Sequence, residues 1–548
     1  MKKLVALLLA VLMVMSAAAF AEPVVSEPEM PLTDTPANYD AMIVLHGMDV
    51  GDPNEKSLYV AREEQTGVNI EWTVIPSTSQ AERIATTFAS GELPDLFANM
   101  LNNSDVLTYG MSGALLPISD YLEYMPNFSS ILEAMPDVKA AVTMPDGKIY
   151  GLPQINMWSV WPGDGIYQRS SVFINKNWLE KLGLEVPTTT DELIEVLRAF
   201  KEQDPNGNGI ADEIPLSFVY NGWSEIPASF LYGPFGIIGM SYQLNVQDGK
   251  VFYAIQDERF VEAVKFINTL WNEGLIDSEA FTQDTKRYYA KGLEETDLYG
   301  VFIDWAGSSV VGNEKAVGTD GLLNTGDETY IPIAPLTGPN GDCIWSNEPA
   351  GVNTNRLCIA STVENPELIC RWADALYAPD SSIQELWGQF GTYNEKTEDG
   401  WMRIAAPNDV NADEWLLEST TRQLPALVTN EMVAKYPTKF ADGHMGMKSD
   451  EIKCQLAEIT APYAVKEYYP NVVLSAEANE RIAVLWTPIK NAMIEQEVAW
   501  CTGEGDVEAE WPAFIESLNS MGLQEVVEIY QNARSEERRV GKECRSRW

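Results

Sequence analysis

The chain has 548 residues, of which 45% are hydrophobic and 22% are charged, and its formal net charge is −44. This apolar content excludes a largely disordered protein, and the length exceeds that of one domain of usual size, so we expect two lobes. The acidic balance argues against nucleic acid as a partner, because a negative surface repels phosphates.

The N-terminal residues 1–21 have the features of a secretory signal peptide. The sequence MKKLVALLLAVLMVMSAAAFAEP places two lysines before an apolar run and ends it with small residues, which predicts cleavage after Ala21. No cysteine follows closely, and no later stretch is long and apolar enough to span a bilayer. We therefore expect an exported protein, periplasmic or at the cell surface, with no transmembrane helix and no lipobox cysteine. Residues 22–37 are rich in proline and acid and are predicted to be a linker.

Strand and helix patterns alternate after this segment. AMIVLHG and VNIEWTVIP read as strands, SLYVAREEQTG and AERIATTFAS as helices, and PDLFANM as a third strand. Strands alternating with helices are typical of a parallel sheet covered by helices. The sequence therefore predicts an α/β fold with parallel-rich sheets flanked by helices.

Further along the chain the clearest helix is TTDELIEVLRAFKEQ. Thr189 and Glu192 have the spacing of a capping box, and the apolar residues of the segment recur at helical period. NKNWLEKLG and DERFVEAVKFINTLWNEG are also predicted helices, and DLYGVFIDWAG is a predicted strand. ENPELICRWADALYA and LQEVVEIYQNA are predicted helices as well.

Residues 204–213 have the spacing of a calcium-binding loop. Counted from Asp204, oxygen-bearing groups fall on alternate positions and Gly209 occupies the sixth, where such loops turn sharply. The predicted ligands are Asp204, Asn206, Asn208, Ile210 through its backbone carbonyl, Asp212 and Glu213. Position twelve is Pro215, so the bidentate carboxylate has to come from Glu213. A glycine- and asparagine-rich turn without an ion is the alternative. We expect Ca²⁺ in a structural role, because hard oxygen ligands suit it.

The segment SVFINKNWLEKLGLEVPTTTDELIEVLRAFKEQDPNGNGIADEIPLSF resembles the hallmark block of family 1 extracellular solute-binding proteins of ABC importers. ASGELPDLF, GALLPISDYLEYMPN and DGKIYGLP resemble other blocks of the large lipoprotein-A-like group in the same order. The resemblance covers roughly residues 40–533 and implies a two-lobed periplasmic-binding-protein fold (type II) with an interlobe ligand cleft. It also implies a membrane permease as partner, and relatives that take up alginate fragments carry calcium in a similar loop.

This resemblance leads to a predicted division of the chain. Residues 38–155 and 330–378 are assigned to lobe 1, and residues 156–329 and 379–533 to lobe 2. The segment 534–548 is basic in an otherwise acidic protein and resembles translated vector sequence, so we expect a non-native tail.

A carbohydrate is the expected ligand, because sugars are held by aromatic plates together with hydrogen-bonding groups. The candidate ligand-binding residues are Trp158, Trp161, Trp223, Trp305, Asp304, Asp49 and Arg169. Core tryptophans and solvated charges are the alternatives for these residues. The sequence leaves the identity, length and charge of the sugar open.

Two other classes of protein compete with a monomeric binding protein. A secreted carbohydrate-active hydrolase needs only two placed carboxylates, and an acidic chain always offers such pairs. However, the sequence contains no nucleophile elbow, zinc-protease or phosphate-loop motif, and His46 and His444 stand alone. A calcium-stabilised adhesive module would show repeats, and we find none. We therefore expect no catalysis.

The six cysteines are scattered and form no CxxC pair, which excludes a metal knuckle. A Cys343–Cys358 disulfide and isolated thiols are both compatible with the sequence, and isolated thiols are the favoured interpretation.

Overall fold

The computed structural model describes residues 23–47, 49, 51–156, 160–161, 166–167, 170–222, 226–305, 307–323, 326–346, 351–398, 400–407, 412–429, 431–432, 437–439, 449–470 and 472–546. The strands of these residues are Ala37–Ile43 (β1), Val68–Val74 (β2), Leu96–Ala98 (β3), Gly151–Asn156 (β4), Val160–Trp161 (β5), Ile166–Tyr167 (β6), Ser171–Asn175 (β7), Ile214–Ser217 (β8), Leu244–Gln247 (β9), Lys250–Tyr253 (β10), Tyr299–Asp304 (β11), Tyr330–Pro332 (β12), Gly351–Ile359 (β13), Asn394–Lys396 (β14), Trp401–Ile404 (β15), Ala426–Val428 (β16) and Thr438–Lys439 (β17).

The α-helices of the same residues are Ser57–Thr66 (α1), Gln80–Ser90 (α2), Asn103–Met111 (α3), Pro126–Ala134 (α4), Pro136–Val142 (α5), Lys176–Leu182 (α6), Thr190–Glu202 (α7), Ala228–Tyr232 (α8), Glu258–Asn272 (α9), Thr285–Gly292 (α10), Ser308–Val311 (α11), Asn313–Ala316 (α12), Pro366–Ala375 (α13), Pro379–Trp387 (α14), Ala412–Leu417 (α15), Ser449–Thr460 (α16), Ala476–Cys501 (α17), Val507–Met521 (α18) and Leu523–Ser546 (α19). No helix within the described ranges is both long enough and apolar enough to cross a membrane.

The chain divides into two compact units. The first contains the chain up to Gln154 together with Thr354–Leu386 and Thr420–Leu427, and the second contains the remaining segments. Residues 379–386 and 420–427, which the sequence-based division assigned to lobe 2, lie in the first unit, whereas residues 330–353, assigned to lobe 1, lie in the second. The reason is that β12 pairs with β7 in the sheet of that unit.

The first unit is built on a six-stranded sheet with the order β16-β4-β13-β3-β1-β2. β1 is parallel to both β2 and β3, while β13 runs antiparallel to β3. β3 and β4 are buried on both faces, as expected for strands of a sheet covered by helices, whereas β1 and β2 include exposed positions. This arrangement brings the carboxyl ends of β1, β2 and β3 to one edge of the sheet.

The second unit is built on a four-stranded sheet with the order β12-β7-β11-β8. β11 is parallel to β8 and antiparallel to β7. Helices α7, α9 and α17 contribute buried apolar side chains to one continuous core beside this sheet, among them Phe200, Phe260 and Met493. Three hairpins or small sheets, β5-β6, β9-β10 and β14-β15-β17, complete the strand pairings of the described residues.

The predicted strands and helices are confirmed, and their ends follow from local chemistry. Thr189 and Glu192 form the predicted capping box at the start of α7, where each side chain satisfies a free backbone N–H. Gly91 and Gly183 end α2 and α6 in the left-handed region, at φ of 74° and 66°.

The segment predicted as a linker is attached to the first unit from residue 24 onward. The backbone N–H groups of Val24 and Ser26 donate to Ser130 Oγ and Asn127 Oδ1, both at 2.8 Å. Leu32 is buried and its N–H donates to the Thr66 carbonyl. The segment therefore packs against the first unit and leads into β1.

The C-terminal helix α19 continues past the point where the sequence predicts a foreign tail. Arg534 is nearly buried, and its Nη1 atom donates to the Gly249 carbonyl at 2.9 Å. Cys343, Cys358, Cys370 and Cys501 are free thiols, in agreement with the favoured interpretation.

Candidate functional site

The carboxyl ends of β1 and β2 border a cavity of about 400 Å³ in the first unit. Its lining residues are Leu45, Asp49, Gly51, Asp52, Trp72 and Val74. Ligands of open α/β sheets bind outside the carboxyl ends of the strands, where the strand order changes direction. In this sheet the change occurs at β1, which has β2 on one side and β3 on the other. This edge is therefore the candidate ligand site of the first unit.

Asp49, a ligand candidate from the sequence, lies in this cavity with its side chain nearly buried. Its Oδ1 atom accepts hydrogen bonds from Lys56 Nζ at 2.9 Å and from the Gly51 N–H at 3.1 Å. Its Oδ2 atom is buried and has no hydrogen-bond partner among the described residues. The protein thus holds the carboxylate through one oxygen atom, while the second oxygen atom is buried and keeps a free acceptor position.

Trp72 lines the same cavity and was not singled out from the sequence. Its indole packs against Tyr59 with ring centroids 5.6 Å apart. The side chain of Asn54 fixes its backbone, since Asn54 Oδ1 accepts the Trp72 N–H at 2.8 Å and Asn54 Nδ2 donates to the Trp72 carbonyl at 2.9 Å. The sequence signal that could have identified Trp72 was its position in β2, two residues before the strand ends at the sheet edge.

Asp304 and Trp305 belong to the second unit, at the carboxyl end of β11. Asp304 is fully buried; its Oδ2 accepts the Tyr289 hydroxyl at 3.0 Å and its Oδ1 accepts the Trp305 N–H at 2.5 Å. The indole of Trp305 is partly exposed, and Lys453 Nζ lies 4.9 Å from its ring centroid. A cation therefore covers one face of this ring, in the geometry of a cation–π contact.

The remaining ligand candidates lie wholly or partly outside the described residues. Trp158, Trp223 and Arg169 are not described, and Trp161 is described only through its backbone, which pairs with Ile166 in the β5-β6 hairpin.

The loop between α7 and β8 contains the predicted calcium ligands. Asp204 has a left-handed φ of 46°, and its two carboxylate oxygen atoms accept the N–H groups of Gly207 at 3.0 Å and Gly209 at 3.1 Å. Both glycines also have a left-handed backbone conformation, with φ of 76° and 75°, which residues with a side chain rarely adopt. The chain therefore curls around the Asp204 carboxylate.

The other polar side chains of the loop converge on Asp212. The amide nitrogen of Asn206 donates to Asp212 Oδ1 at 2.9 Å, and that of Asn208 donates to Asp212 Oδ2 at 2.9 Å. The Ile210 carbonyl accepts the Asp212 N–H at 3.0 Å. The sequence-predicted group thus forms one compact cluster of oxygen-bearing side chains.

Glu213 completes this cluster with a carboxylate of which one oxygen atom lacks a hydrogen-bond partner among the described residues. Its Oε1 atom is buried and has no hydrogen-bond partner in the described part of the chain. Burial and the neighbouring charges of Asp204 and Asp212 raise the pKa of Glu213. In the ranges that the structure describes, no three His, Cys, Asp or Glu side chains are gathered closely enough to hold a metal by themselves. Any cation here would also need amide and carbonyl oxygen atoms.

Comparison with protein families gives a match to the bacterial extracellular solute-binding proteins over residues 54–382. The chain is 34% identical over 495 residues to the fructooligosaccharide ABC transporter substrate-binding protein FusA of Streptococcus pneumoniae, covering 88% of this chain and 87% of FusA. It is 28% identical over 298 residues to lipoprotein LipO of Bacillus subtilis, covering 53% of this chain and 54% of LipO.

Solved structures agree with this match. FusA in complex with kestose superposes with a TM-score of 0.75 and 31% identity, covering 91% of this chain and 99% of FusA. A solute-binding protein from Bifidobacterium longum subsp. infantis has a TM-score of 0.76 at 24% identity, covering 91% of this chain and 98% of its own, which bears on the fold alone. The predicted α/β fold of two-lobed solute-binding proteins is confirmed.

Proposed function

This chain belongs to the bacterial extracellular solute-binding protein family, and from that membership we propose that it captures a neutral fructo-oligosaccharide and delivers it to the permease of an ABC transporter. The observation that carries the proposal is the 34% identity to FusA over 88% of the chain. The matched relatives are substrate-binding proteins, so the chain is a binding protein and not an enzyme. The hydrolase alternative is not favoured.

The geometry of the first unit supports this function. Asp49 and Trp72 line a cavity at the sheet edge, where a carboxylate held by Lys56 lies beside aromatic surface. Sugar sites combine such hydrogen-bonding groups with aromatic surface. The tryptophan pair Trp158 and Trp161, with Trp223, Trp305, Asp304 and Arg169, remains the proposed set of further ligand contacts.

Sugar binding by the purified protein tests this proposal. We expect kestose and nystose to bind saturably in calorimetric titrations and to raise Tm, because a ligand that binds only the folded state stabilises it. Maltotriose and an oligogalacturonate serve as comparison sugars. The double variant Trp158→Ala and Trp161→Ala should fold and should bind kestose more weakly, because it lacks two aromatic side chains proposed to stack against the sugar.

Chromatography of the sugar after incubation separates the two functions. A binding protein returns kestose unchanged, whereas a hydrolase shortens it. Failure of both kestose and nystose to bind would overturn the proposed function, and shortened products would overturn the assignment as a binding protein.

The loop at residues 204–213 holds a structural calcium ion in this proposal. Asp204, Asn206, Asn208, Asp212, Glu213 and the Ile210 carbonyl supply the oxygen ligands. The buried, unpaired Oε1 of Glu213 supports a cation, because three carboxylates in one loop repel one another without a positive charge. One solved structure of FusA is an EF-hand mutant, so that relative has an EF-hand. Calcium would neutralise the carboxylates and fix the α7–β8 connection.

A further inference from the structure

Arg356 lies in β13, beside the carboxyl end of β3 in the first unit. The antiparallel register of these strands places Leu357 opposite Ala98, the last residue of β3. The N–H of Asn99, the next residue, donates to the Arg356 carbonyl at 3.0 Å. Arg356 is therefore located beside the carboxyl end of β3, one strand away from β1, where the strand order changes direction and α/β sheets commonly hold ligands.

The guanidinium of Arg356 has only neutral partners within the part of the chain that the structure describes. Its Nη1 atom donates to Asn99 Oδ1 at 2.6 Å and to Gln423 Oε1. No described carboxylate pairs with it, although the chain has 81 Asp and Glu residues. Burial lowers the pKa of Arg356 to about 10, so the group is still charged at neutral pH.

Several N–H groups of this cation have no acceptor among the residues that the structure describes. Arginine presents five N–H donors, and the structure records partners only for Nη1 among the described residues. An unpaired polar group in a partly buried site carries a desolvation cost. Arg356 is partly exposed, and neither Nε nor Nη2 is among the buried side-chain atoms of the described residues that lack a partner, so both donors are open to solvent that a ligand can replace.

The partners of Arg356 are themselves held in place. Asn99 has a left-handed φ of 50°, and its Nδ2 donates to the Val44 carbonyl at 2.9 Å, which turns its Oδ1 toward the guanidinium. Gln423 is nearly buried, and its N–H donates to Thr421 Oγ1 at 3.3 Å. Donors held in a fixed orientation before binding lose little entropy when the ligand arrives.

We infer that Arg356 is a specificity-determining residue that donates hydrogen bonds from Nε and Nη2 to adjacent hydroxyl oxygens of a neutral oligosaccharide. This inference rests on the proposed function and assigns a residue to it. The planar guanidinium presents two parallel N–H bonds, which match two neighbouring oxygen atoms. A carboxylate would fit the same fork, but a net charge of −44 repels anionic sugars at a distance.

Two variants of this residue test the inference. Arg356→Met keeps the apolar stem and removes all five donors, while Arg356→Lys keeps the charge and removes the planar fork. Calorimetric titration with kestose should show a loss of affinity on the order of ten- to a hundredfold for Arg356→Met, and a smaller loss for Arg356→Lys. Arg83→Met, which removes an exposed arginine of α2 in the same unit, should bind as the wild type does.

The outcomes separate this inference from the proposed function. If the wild type binds kestose and Arg356→Met binds it equally well, the role of Arg356 is overturned and the proposed function stands. If the wild type binds no neutral sugar, both are overturned together. If the wild type binds oligogalacturonate and Arg356→Met abolishes that binding, the neutral class of ligand is wrong. Arg356→Lys provides the same comparison if Arg356→Met does not fold.

Discussion

Glu497 shows how one residue depends on side chains that are distant in the sequence. It lies in α17, is fully buried, and accepts hydrogen bonds from the hydroxyl of Tyr220 at 2.6 Å and the N–H of Ser241 at 2.9 Å, as well as from the Tyr232 hydroxyl. All three donors are neutral. Burial is the main cause that raises the pKa of Glu497, because desolvation penalises the charged form.

This carboxyl group should make the stability of the second unit pH-dependent. A carboxyl whose pKa is higher in the folded state favours folding below its unfolded value, about 4.3, and this contribution declines as pH rises toward and through the folded pKa. Glu497→Gln has no titrating group there. The Tm difference between the variant and the wild type should therefore shift in favour of the variant as pH rises from about 4.5 to 8.

Melting curves over this pH range measure the difference. Glu195→Gln, at an exposed position of α7, is the control and should follow the wild type. A difference that stays constant with pH would contradict the raised pKa of Glu497.

At the scale of elements, the polar loop after α7 owes its shape to local rules. The capping box fixes the start of α7, and the left-handed residues Asp204, Gly207 and Gly209 turn the chain within a few positions after its end. Lys181 Nζ adds contacts from α6 to the carbonyls of Asp204 at 3.2 Å and Pro205 at 2.8 Å. Contacts within the protein therefore hold the loop in this conformation without an ion.

Calcium should stabilise this element. With a dissociation constant on the order of 10⁻⁴ to 10⁻³ M, about 5 mM Ca²⁺ would contribute about 1 to 2 kcal/mol and raise Tm by a few degrees relative to chelator. Glu213→Gln should reduce this shift, because it removes the negative charge of a carboxylate whose buried Oε1 has no hydrogen-bond partner in the described part of the chain. Melting curves in chelator, Ca²⁺ and Mg²⁺ give the measurement, and Mg²⁺ should be less effective because it demands a smaller octahedral site.

The matched control for this element is Glu202→Gln, which changes an exposed carboxylate at the end of α7. It should keep the calcium response of the wild type. Identical melting with and without chelator would remove calcium from the proposed function and leave the loop as a glycine- and asparagine-rich turn.

At the scale of the whole molecule, the dominant physical property is charge. A formal net charge of −44 is distributed over two compact units, whose buried cores consist of apolar side chains. Several carboxylates form ion pairs. In the first unit, for example, Glu385 Oε2 lies 3.3 Å from Arg62 Nη2. The excess of acidic groups over basic ones nevertheless produces repulsion among charges on the folded surface.

Salt should therefore stabilise the protein. Raising NaCl from about 0.02 to 0.2 M shortens the Debye length and screens this repulsion, so Tm should increase. The measurement is made in chelator so that calcium occupancy does not change, and KCl should give the same result as NaCl. A Tm that falls with added salt would show that local ion pairs outweigh the net repulsion.

The sequence by itself determined the features that depend on neighbours along the chain. The strands β1, β2, β3 and β11, the helices α1, α2, α7 and α9, and the glycine stops all follow from periodicity and capping. The polar cluster at residues 204–213 was also visible, because all its members lie within one turn. The family block indicated the α/β solute-binding fold for the same reason, as it is a continuous stretch.

Only the tertiary structure decided which distant residues meet at the sheet edge. Asn99 and Arg356 are 257 positions apart, and Gln423 is a further 67 along the chain, so no local pattern joins them. The cavity around Asp49 and Trp72 likewise requires the parallel register of β1 and β2. Periodicity reports which face of an element is buried, but the identity of the buried neighbour depends on the order in which strands cross the sheet.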